Sequence, residues 1–294
     1  MRLLLVLVTA FGLVACGGDA ENSNSEEGTG AAKPVLRFSA IPDEKPTENM
    51  ERFRPVAAYL ADALGVKVEY IPVDKYSASV QAFKTGDIHF AWFGGLSGVQ
   101  ARLAVSGSRA IAQGVEDPEY FSYFIANKNT GLKAGDDFPT AAKGMKLSFG
   151  SEGSTSGRLM PEYFIRKFTN SAPKEFFSTV GFSGNHPATI AAVNSGAYDV
   201  GALSYKTYDK AKPEEKANTI VLWKTPVYAD YNLTAHPGIE EAFGKGFTDK
   251  LQKAWLAMPA DLCEKSFSRS GMIKAQNSDY QSIEDTAKSL DLAR

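Results

Sequence analysis

Apolar and polar positions along this chain follow two periods that take turns from segment to segment. Val35 to Ala40 is a short apolar run and reads as a strand. From Met50 to Leu64, the residues Phe53, Val56, Ala57, Leu60 and Leu64 form one apolar stripe along a helix, and Gly65 stands where it ends. Lys67 to Val73 is rich in β-formers and closes with Pro72. The pattern then predicts a helix over 96–104, strands near 110–115 and 122–127, and a strand over 146–149. A helix over 157–168, a strand over 220–223 and terminal helices such as 247–258 follow. Strand–helix alternation on this scale argues for parallel sheets and an α/β fold.

Two of these units echo each other at an offset of 110 residues. Val80-Gln81-Ala82-Phe83-Lys84-Thr85-Gly86-Asp87-Ile88-His89-Phe90-Ala91 is matched by Ile190-Ala191-Ala192-Val193-Asn194-Ser195-Gly196-Ala197-Tyr198-Asp199-Val200-Gly201. Each reads as the end of an amphipathic helix, a terminating glycine and a short apolar strand. Two lobes of similar topology would produce this echo.

The N-terminal pattern differs. Arg2 precedes an apolar run from Leu3 to Val14, too short to span a bilayer and built like a secretory signal. Leu13-Val14-Ala15-Cys16 resembles a bacterial lipobox, so residues 1–15 are expected to be removed and Cys16 to carry lipid that anchors the chain to a membrane outside the cytoplasm. Residues 16–32 are rich in Gly, Ser, Asn and Glu and read as a flexible linker. The rest of the chain is long enough for two domains or one large one. Cys263 is the only other cysteine, which excludes a disulfide framework. Net charge is −2, and −3 once Arg2 leaves, so the chain lacks the basic footprint that nucleic acid requires.

Gly150-Ser151-Glu152-Gly153-Ser154-Thr155-Ser156-Gly157-Arg158 lies between a strand and a helix. Its glycines allow close backbone approach, its hydroxyls donate, and the helix start offers free N–H groups, a combination suited to an anion with several oxygens. A polar turn with a hydroxyl helix cap would look the same locally. The stretch has no Gly-Lys-Ser/Thr of a P-loop, and Thr155 occupies the place of a nucleophilic serine. His89 falls in a strand pattern and His236 in a polar turn read as solvated. With His186 and one free cysteine they make no metal spacing, and nothing calls for a cofactor.

From about Val35 to the terminal helices, the chain resembles the phosphonate-binding branch of periplasmic substrate-binding proteins that serve ABC importers. The resemblance rests on Asp74-Lys75-Tyr76, Ala91-Trp92-Phe93-Gly94, Ser154-Thr155-Ser156-Gly157 and Gly184-Asn185-His186. It implies a two-lobed periplasmic binding protein of type II, a Venus flytrap with a hinge of crossover strands and a ligand cleft between lobes. On that expectation, residues 33–118 form lobe 1, 119–228 lobe 2, and 229–294 return to lobe 1. Carried over position by position, the resemblance implicates Tyr76, Phe93, Ser154, Thr155, Ser156 and His186 in holding a small oxyanion, with Tyr205 and Asp230 also lining the cleft. The implied partners are that anion and a membrane permease with its ATPase.

The departures are informative. Phe93 stands where phosphonate binders carry a tyrosine, and the acid that pairs with a ligand amine falls near Ser204 and Tyr205, neither acidic. Both weaken an aminoalkyl phosphonate as ligand. Ile41-Pro42-Asp43-Glu44, Trp92-Phe93-Gly94-Gly95 and Asp230-Tyr231-Asn232 with Thr234 resemble a sub-branch associated with selenate. Chemistry separates these choices. Selenate and sulfate offer only acceptors near neutral pH, whereas phosphorus oxyanions keep a proton that an aspartate can accept. Asp230 facing the cleft without a cation favours phosphorus; Asp230 paired with Arg158 or a lysine, or facing away, favours selenate. The competing classes are a flytrap for an organic ligand, the input domain of a sensor kinase, and a hydrolase using Ser154 or Ser156 with His186.

Overall fold

Residues 34–293 are described in a computed structural model; the leader 1–15, Cys16 and the linker 16–32 lie outside the described residues. The chain begins with β1 (Leu36–Ala40), α1 (Pro46–Leu64), β2 (Val68–Tyr70), α2 (Tyr76–Lys84), β3 (Phe90–Phe93), α3 (Gly95–Ala104) and β4 (Arg109–Gly114). It crosses into β5 (Ser122–Asn127), β6 (Lys146–Phe149), α4 (Met160–Thr169), α5 (Pro173–Phe176), β7 (Thr179–Phe182), α6 (His186–Asn194), β8 (Val200–Ser204), α7 (Tyr205–Lys210) and β9 (Thr219–Lys224). It then returns as β10 (Asn232–Ala235), α8 (Gly238–Phe243), α9 (Phe247–Leu256), α10 (Ala260–Phe267), β11 (Met272–Lys274) and α11 (Gln281–Ser289).

The strands make two sheets, β11-β4-β10-β3-β1-β2 and β7-β6-β8-β5-β9, so the chain leaves the first lobe after β4 and re-enters it at β10. The expectation of parallel sheets needs correction. β1 pairs in parallel with β2 and β3, as β6 does with β7 and β8. β10, however, runs antiparallel to β3 and β4, and β5 runs antiparallel to β8 and β9. Each of these is the first strand after a crossing, so it enters its sheet from the end opposite to its neighbours.

Local chemistry accounts for most element ends. α1 starts at Pro46 rather than near Met50, because proline suits the first turn, where its missing N–H would have no partner. Pro55 removes one donor within α1, and the buried stripe of Phe53, Val56 and Leu60 carries the helix through. In the echoed units, Gly86 and Gly196 adopt φ of 76° and 80° between helix and strand, a left-handed turn that a side chain would strain. The expected 157–168 helix opens instead as a π-turn over Thr155–Leu159 before α4.

In the first lobe Trp92 stacks on Trp255 at 5.9 Å and touches Phe267 at 4.9 Å, while Phe38 stacks on Phe90 at 5.0 Å. Burial of each such ring contributes about 1.5–3 kcal/mol. Cys263 is free and buried there. Between the lobes, Tyr120 and Tyr228 exchange backbone bonds of 2.9 and 2.8 Å, joining the two crossing segments. Asp117 on the first crossing is wholly buried and bonded to Arg269 at 2.6 Å.

Candidate functional site

Three segments converge where the lobes meet. α2 presents Tyr76 at its first residue, the β3–α3 turn presents Gly94 and Gly95, and the return crossing presents Asp230. The other lobe contributes the hydroxyl stretch before α4 and the start of α6.

Ser154 caps the π-turn, its Oγ accepting from Gly157 N at 2.9 Å, which leaves its hydroxyl hydrogen free to donate. Thr155 reaches across the cleft: its Oγ1 accepts from Leu96 N at 3.0 Å at the start of α3. Ser156 is fixed by Ser122, whose Oγ donates to its carbonyl at 2.7 Å, and its side chain lies beside the Tyr228 hydroxyl. A π-turn is an uncommon, costly piece of backbone found often at ligand sites. Here it turns successive hydroxyls in different directions.

His186 opens α6 and is buried. Its Nδ1 accepts from Ser204 N at 3.3 Å, so the proton of the neutral ring resides on Nε2. Burial lowers its pKa to about 4, against a raising influence from Asp43, so the ring stays neutral at ordinary pH. Nε2 therefore serves as a donor, and it has no partner among the described residues.

Asp230 is the counterpart. Its Oδ1 accepts from Gly95 N at 2.9 Å, while Oδ2 is buried without a partner. Burial raises its pKa to about 7, against the lowering effect of the Gly95 N–H and Thr155. No cation pairs with it among the described residues: Arg158 is on Glu162, and Arg269 is on Asp117. The Tyr76 hydroxyl lies beside Ser154 and also completes no hydrogen bond.

These groups are neighbours. A Cβ on Gly94 would stand 3.1 Å from Thr155 Oγ1 and 3.3 Å from Asp230 Oδ1. One on Gly157 would stand 3.0 Å from Ser154 Oγ and 3.2 Å from His186 Cε1, and one on Gly153 would meet Tyr76 at 2.8 Å. Glycine at these positions lets backbone and side chains close around a small volume. The result is two buried donors and one buried acceptor lacking partners, amid hydroxyls and a helix start, which is the complement of a small oxyanion carrying one proton. No group of His, Cys, Asp and Glu that could hold a metal occurs among the described residues.

The structure thus brings together Tyr76, Ser154, Thr155, His186 and Asp230, with Ser156 behind them. Two expected site residues stand apart as donors. Phe93 is wholly buried with its ring edge-on to Phe83 at 5.6 Å, and it supplies only apolar wall. Tyr205, half exposed, stacks on Phe121 at 3.8 Å and lies 4.9 Å from Tyr120, both on the first crossing segment. Its pKa is pushed up to about 12, by burial first. His89 serves its lobe, with Nδ1 accepting from Arg37 N, while His236, expected to be solvated, is half-buried against Phe83 and bonded to Gly238 N. Sequence reasoning gave no role to Asp43. It accepts from Arg52 at 2.9 Å and from the Tyr231 hydroxyl at 3.0 Å, and its carbonyl accepts from His186 N at 3.3 Å. An acid between Pro42 and Glu44, just past an apolar strand, was its only signal.

Residues 38–280 match the family model for the periplasmic substrate-binding protein of phosphonate ABC transporters. The chain is 40% identical over 272 residues, 88% of this chain and 91% of the other, to a probable ABC transporter phosphite binding protein, PhnD1, of Prochlorococcus marinus (strain MIT 9301). The solved structure of PhnD1 in complex with methylphosphonate superposes with a TM-score of 0.83 at 39% identity, covering 88% of this chain and 98% of that one. A binding-protein component of an ABC phosphonate transporter from Pseudomonas aeruginosa shares the fold, with a TM-score of 0.77 at 20% identity over 89% and 88% of the two chains.

Proposed function

The chain belongs to the family of periplasmic substrate-binding proteins of phosphonate ABC transporters, and from that premise we propose that it captures a singly protonated phosphorus oxyanion, phosphite or a small alkyl phosphonate, for an ABC permease. The unpartnered Asp230 Oδ2 carries this reading. A carboxylate with no cation repels a dianion that offers only acceptors, and it rewards an anion that keeps a P–OH. Phosphorus oxyanions titrate their last proton near neutrality, as a phosphate ester does at about pH 6. The same observation argues against selenate. The family consists of substrate-binding proteins, which sets aside the hydrolase reading.

In this mechanism the anion oxygens take the Tyr76 hydroxyl, the Ser154 hydroxyl and His186 Nε2–H, and the remaining P–OH donates to Asp230. No bond is made or broken. Residues 33–118 with 229–294 form one moving body and 119–228 the other, turning about the crossings joined by Tyr120 and Tyr228. Ligand contacts that exist only when the lobes meet shift the open–closed equilibrium, and the closed form docks on the permease. Lipid on Cys16 would keep the receptor near that permease; intact mass of the membrane fraction, with and without Cys16→Ser, tests the anchor.

Calorimetric titration of the unfolded and refolded protein with phosphite, methylphosphonate, sulfate and selenate tests the ligand. Phosphite or methylphosphonate binding at least tenfold tighter than the sulfur and selenium anions is expected. The reverse order would overturn the assignment.

A further inference from the structure

Resting on the phosphorus-oxyanion reading, the geometry points to Tyr228 as a positioning residue for the anion donors. Through a closed ring of hydroxyls it holds the π-turn that carries them, and the Ser156 hydrogen stays inside that ring. Tyr228 stands on the return crossing, buried, and its hydroxyl meets Ser122 Oγ at 2.5 Å. Ser122 opens β5 and is wholly buried. Its Oγ donates to the Ser156 carbonyl at 2.7 Å. The Ser156 side chain, also buried, is hydrogen-bonded to the Tyr228 hydroxyl.

These three contacts decide where each hydrogen lies. A hydroxyl has one hydrogen to donate. Ser122 gives its own to the Ser156 carbonyl, so towards Tyr228 it accepts, and Tyr228 donates. The Tyr228 oxygen is then left to accept, and Ser156 is the donor. The circuit runs from the Ser156 hydroxyl to Tyr228, from Tyr228 to Ser122, and from Ser122 back to the Ser156 carbonyl. Burial first, then the Asp230 charge, holds the Tyr228 phenol well above its ordinary pKa, so the proton that the ring needs is retained. In a buried ring such bonds strengthen one another, and opening one loosens the rest.

The ring touches both halves of the site. Ser154 caps the π-turn, Thr155 is its first residue and Ser156 its second. Holding Ser156 at its carbonyl and its side chain therefore sets the directions of the two hydroxyls before it. Ser122 is itself tied to the return crossing: its N donates to Thr225 Oγ1 at 2.9 Å, and its carbonyl accepts from Thr225 N at 3.0 Å. On the far side of Tyr228 only Ala229 precedes Asp230, which Gly95 N of the other lobe holds at 2.9 Å. One crossing thus carries the anchor of the donor turn and the acceptor two residues apart. Ser156, with its hydrogen committed to Tyr228, has none to give the anion.

Calorimetric titration of the wild type, Tyr228→Phe, Ser156→Ala and the double variant with phosphite tests this, alongside chemical denaturation of the same ligand-free samples. Each single variant should bind phosphite about tenfold more weakly, because the donor turn loosens. The double variant should be at most about threefold worse than the weaker single, since both changes open the same ring. The stabilities should be non-additive in the same way. The fall of phosphite affinity above about pH 7 should persist in every variant, because Asp230 keeps its place. Affinity losses that multiply to about a hundredfold, or a loss in Ser156→Ala that Tyr228→Phe does not share, would make Ser156 a direct donor and overturn the proposal. Lower stability with unchanged phosphite affinity in Tyr228→Phe would reduce the tyrosine to a framework residue and overturn it as well. Failure of the wild type to bind phosphite or methylphosphonate, with the stabilities still non-additive, would instead remove the anion reading and leave the ring no site to serve.

Discussion

Replacing Asp230 by asparagine should exchange the preferred class of anion. Gly95 N donates to Asp230 Oδ1 at 2.9 Å, so in Asp230→Asn that position must remain an oxygen, and the amide NH₂ takes the place of the unpartnered Oδ2. The site's one free acceptor becomes a donor. A hydrogen bond from P–OH to a carboxylate contributes about 1.5–3 kcal/mol. Its loss should weaken phosphite and methylphosphonate by about tenfold to a hundredfold, at 1.4 kcal/mol per tenfold. Sulfate and selenate should gain at least tenfold, because a repelling charge is replaced by a donor. In the proposed complex Asp230 and the anion share one proton. Its phosphite affinity should fall as pH rises above about 7, where Asp230 titrates, and the variant's profile should be flatter. The ligand-free protein supplies an independent check. A folded-state pKa of about 7 against 3.8 means that the native state binds more protons than the unfolded state between those values. Stability is therefore lost as pH rises from about 4 to about 7, by at most about 4 kcal/mol. Asp230→Asn should melt higher than wild type at pH 8 and alike near pH 4. Calorimetric titration across the four anions and thermal melts at both pH values measure this. Parallel loss for all four anions, or no change for phosphite, would refute the acceptor role.

Tyr76→Phe removes a buried hydroxyl that has no partner among the described residues, so the melting temperature of the ligand-free protein should hold or rise while anion affinity falls about tenfold or more, measured on the same sample. Gly157→Ala places a methyl 3.0 Å from Ser154 Oγ and 3.2 Å from His186 Cε1. Titration calorimetry should find anion affinity reduced at least tenfold, with overpacking costing about 1–3 kcal/mol of stability. Arg269→Met leaves Asp117, 0% exposed, without its cation; chemical denaturation should show a loss of about 3–5 kcal/mol.

Much of the fold is written locally. β5 and β6 coincide with their apolar runs, and both echoed units fold as helix, left-handed glycine and strand, since each signal lies within a dozen residues. Strand direction is not local. Nothing between Ser122 and Asn127 states that the chain enters its sheet from the far end, so antiparallel β5 and β10 were out of reach of pattern reading. The site divides in the same way. The hydroxyl stretch and Asp230 were legible because polar groups beside apolar strands need a reason to be buried. The stacking of Tyr205 depends on Phe121 and Tyr120, and the apolar role of Phe93 depends on Phe83, partners that no local spacing reveals. The bond between Asp43 and Tyr231 spans 188 residues of sequence and exists only after both lobes have formed.

The inventory of bonds between the lobes suggests where selectivity is exercised. Leu96 N to Thr155, His186 N to the Asp43 carbonyl, Thr207 to Glu44 and the partly buried Lys206–Glu116 pair cross the cleft, each with a net contribution of about 1 kcal/mol or less. The exposed Lys45–Glu215 pair adds little. Against them, closing around nothing would bury the Tyr76 hydroxyl, His186 Nε2 and Asp230 Oδ2 unsatisfied, at about 1–3 kcal/mol each. The two sums are of similar size, so lobe contacts alone do not commit the receptor to the closed form. An anion that fills all three groups removes the penalty and adds its own bonds, tipping the balance by several kcal/mol. Sulfate fills the two donors but sets a dianion against Asp230, so it recovers only part of that gain. On the proposed function, discrimination is expressed in closure more than in first contact, and closed lobes are favoured when the anion brings its own proton to Asp230.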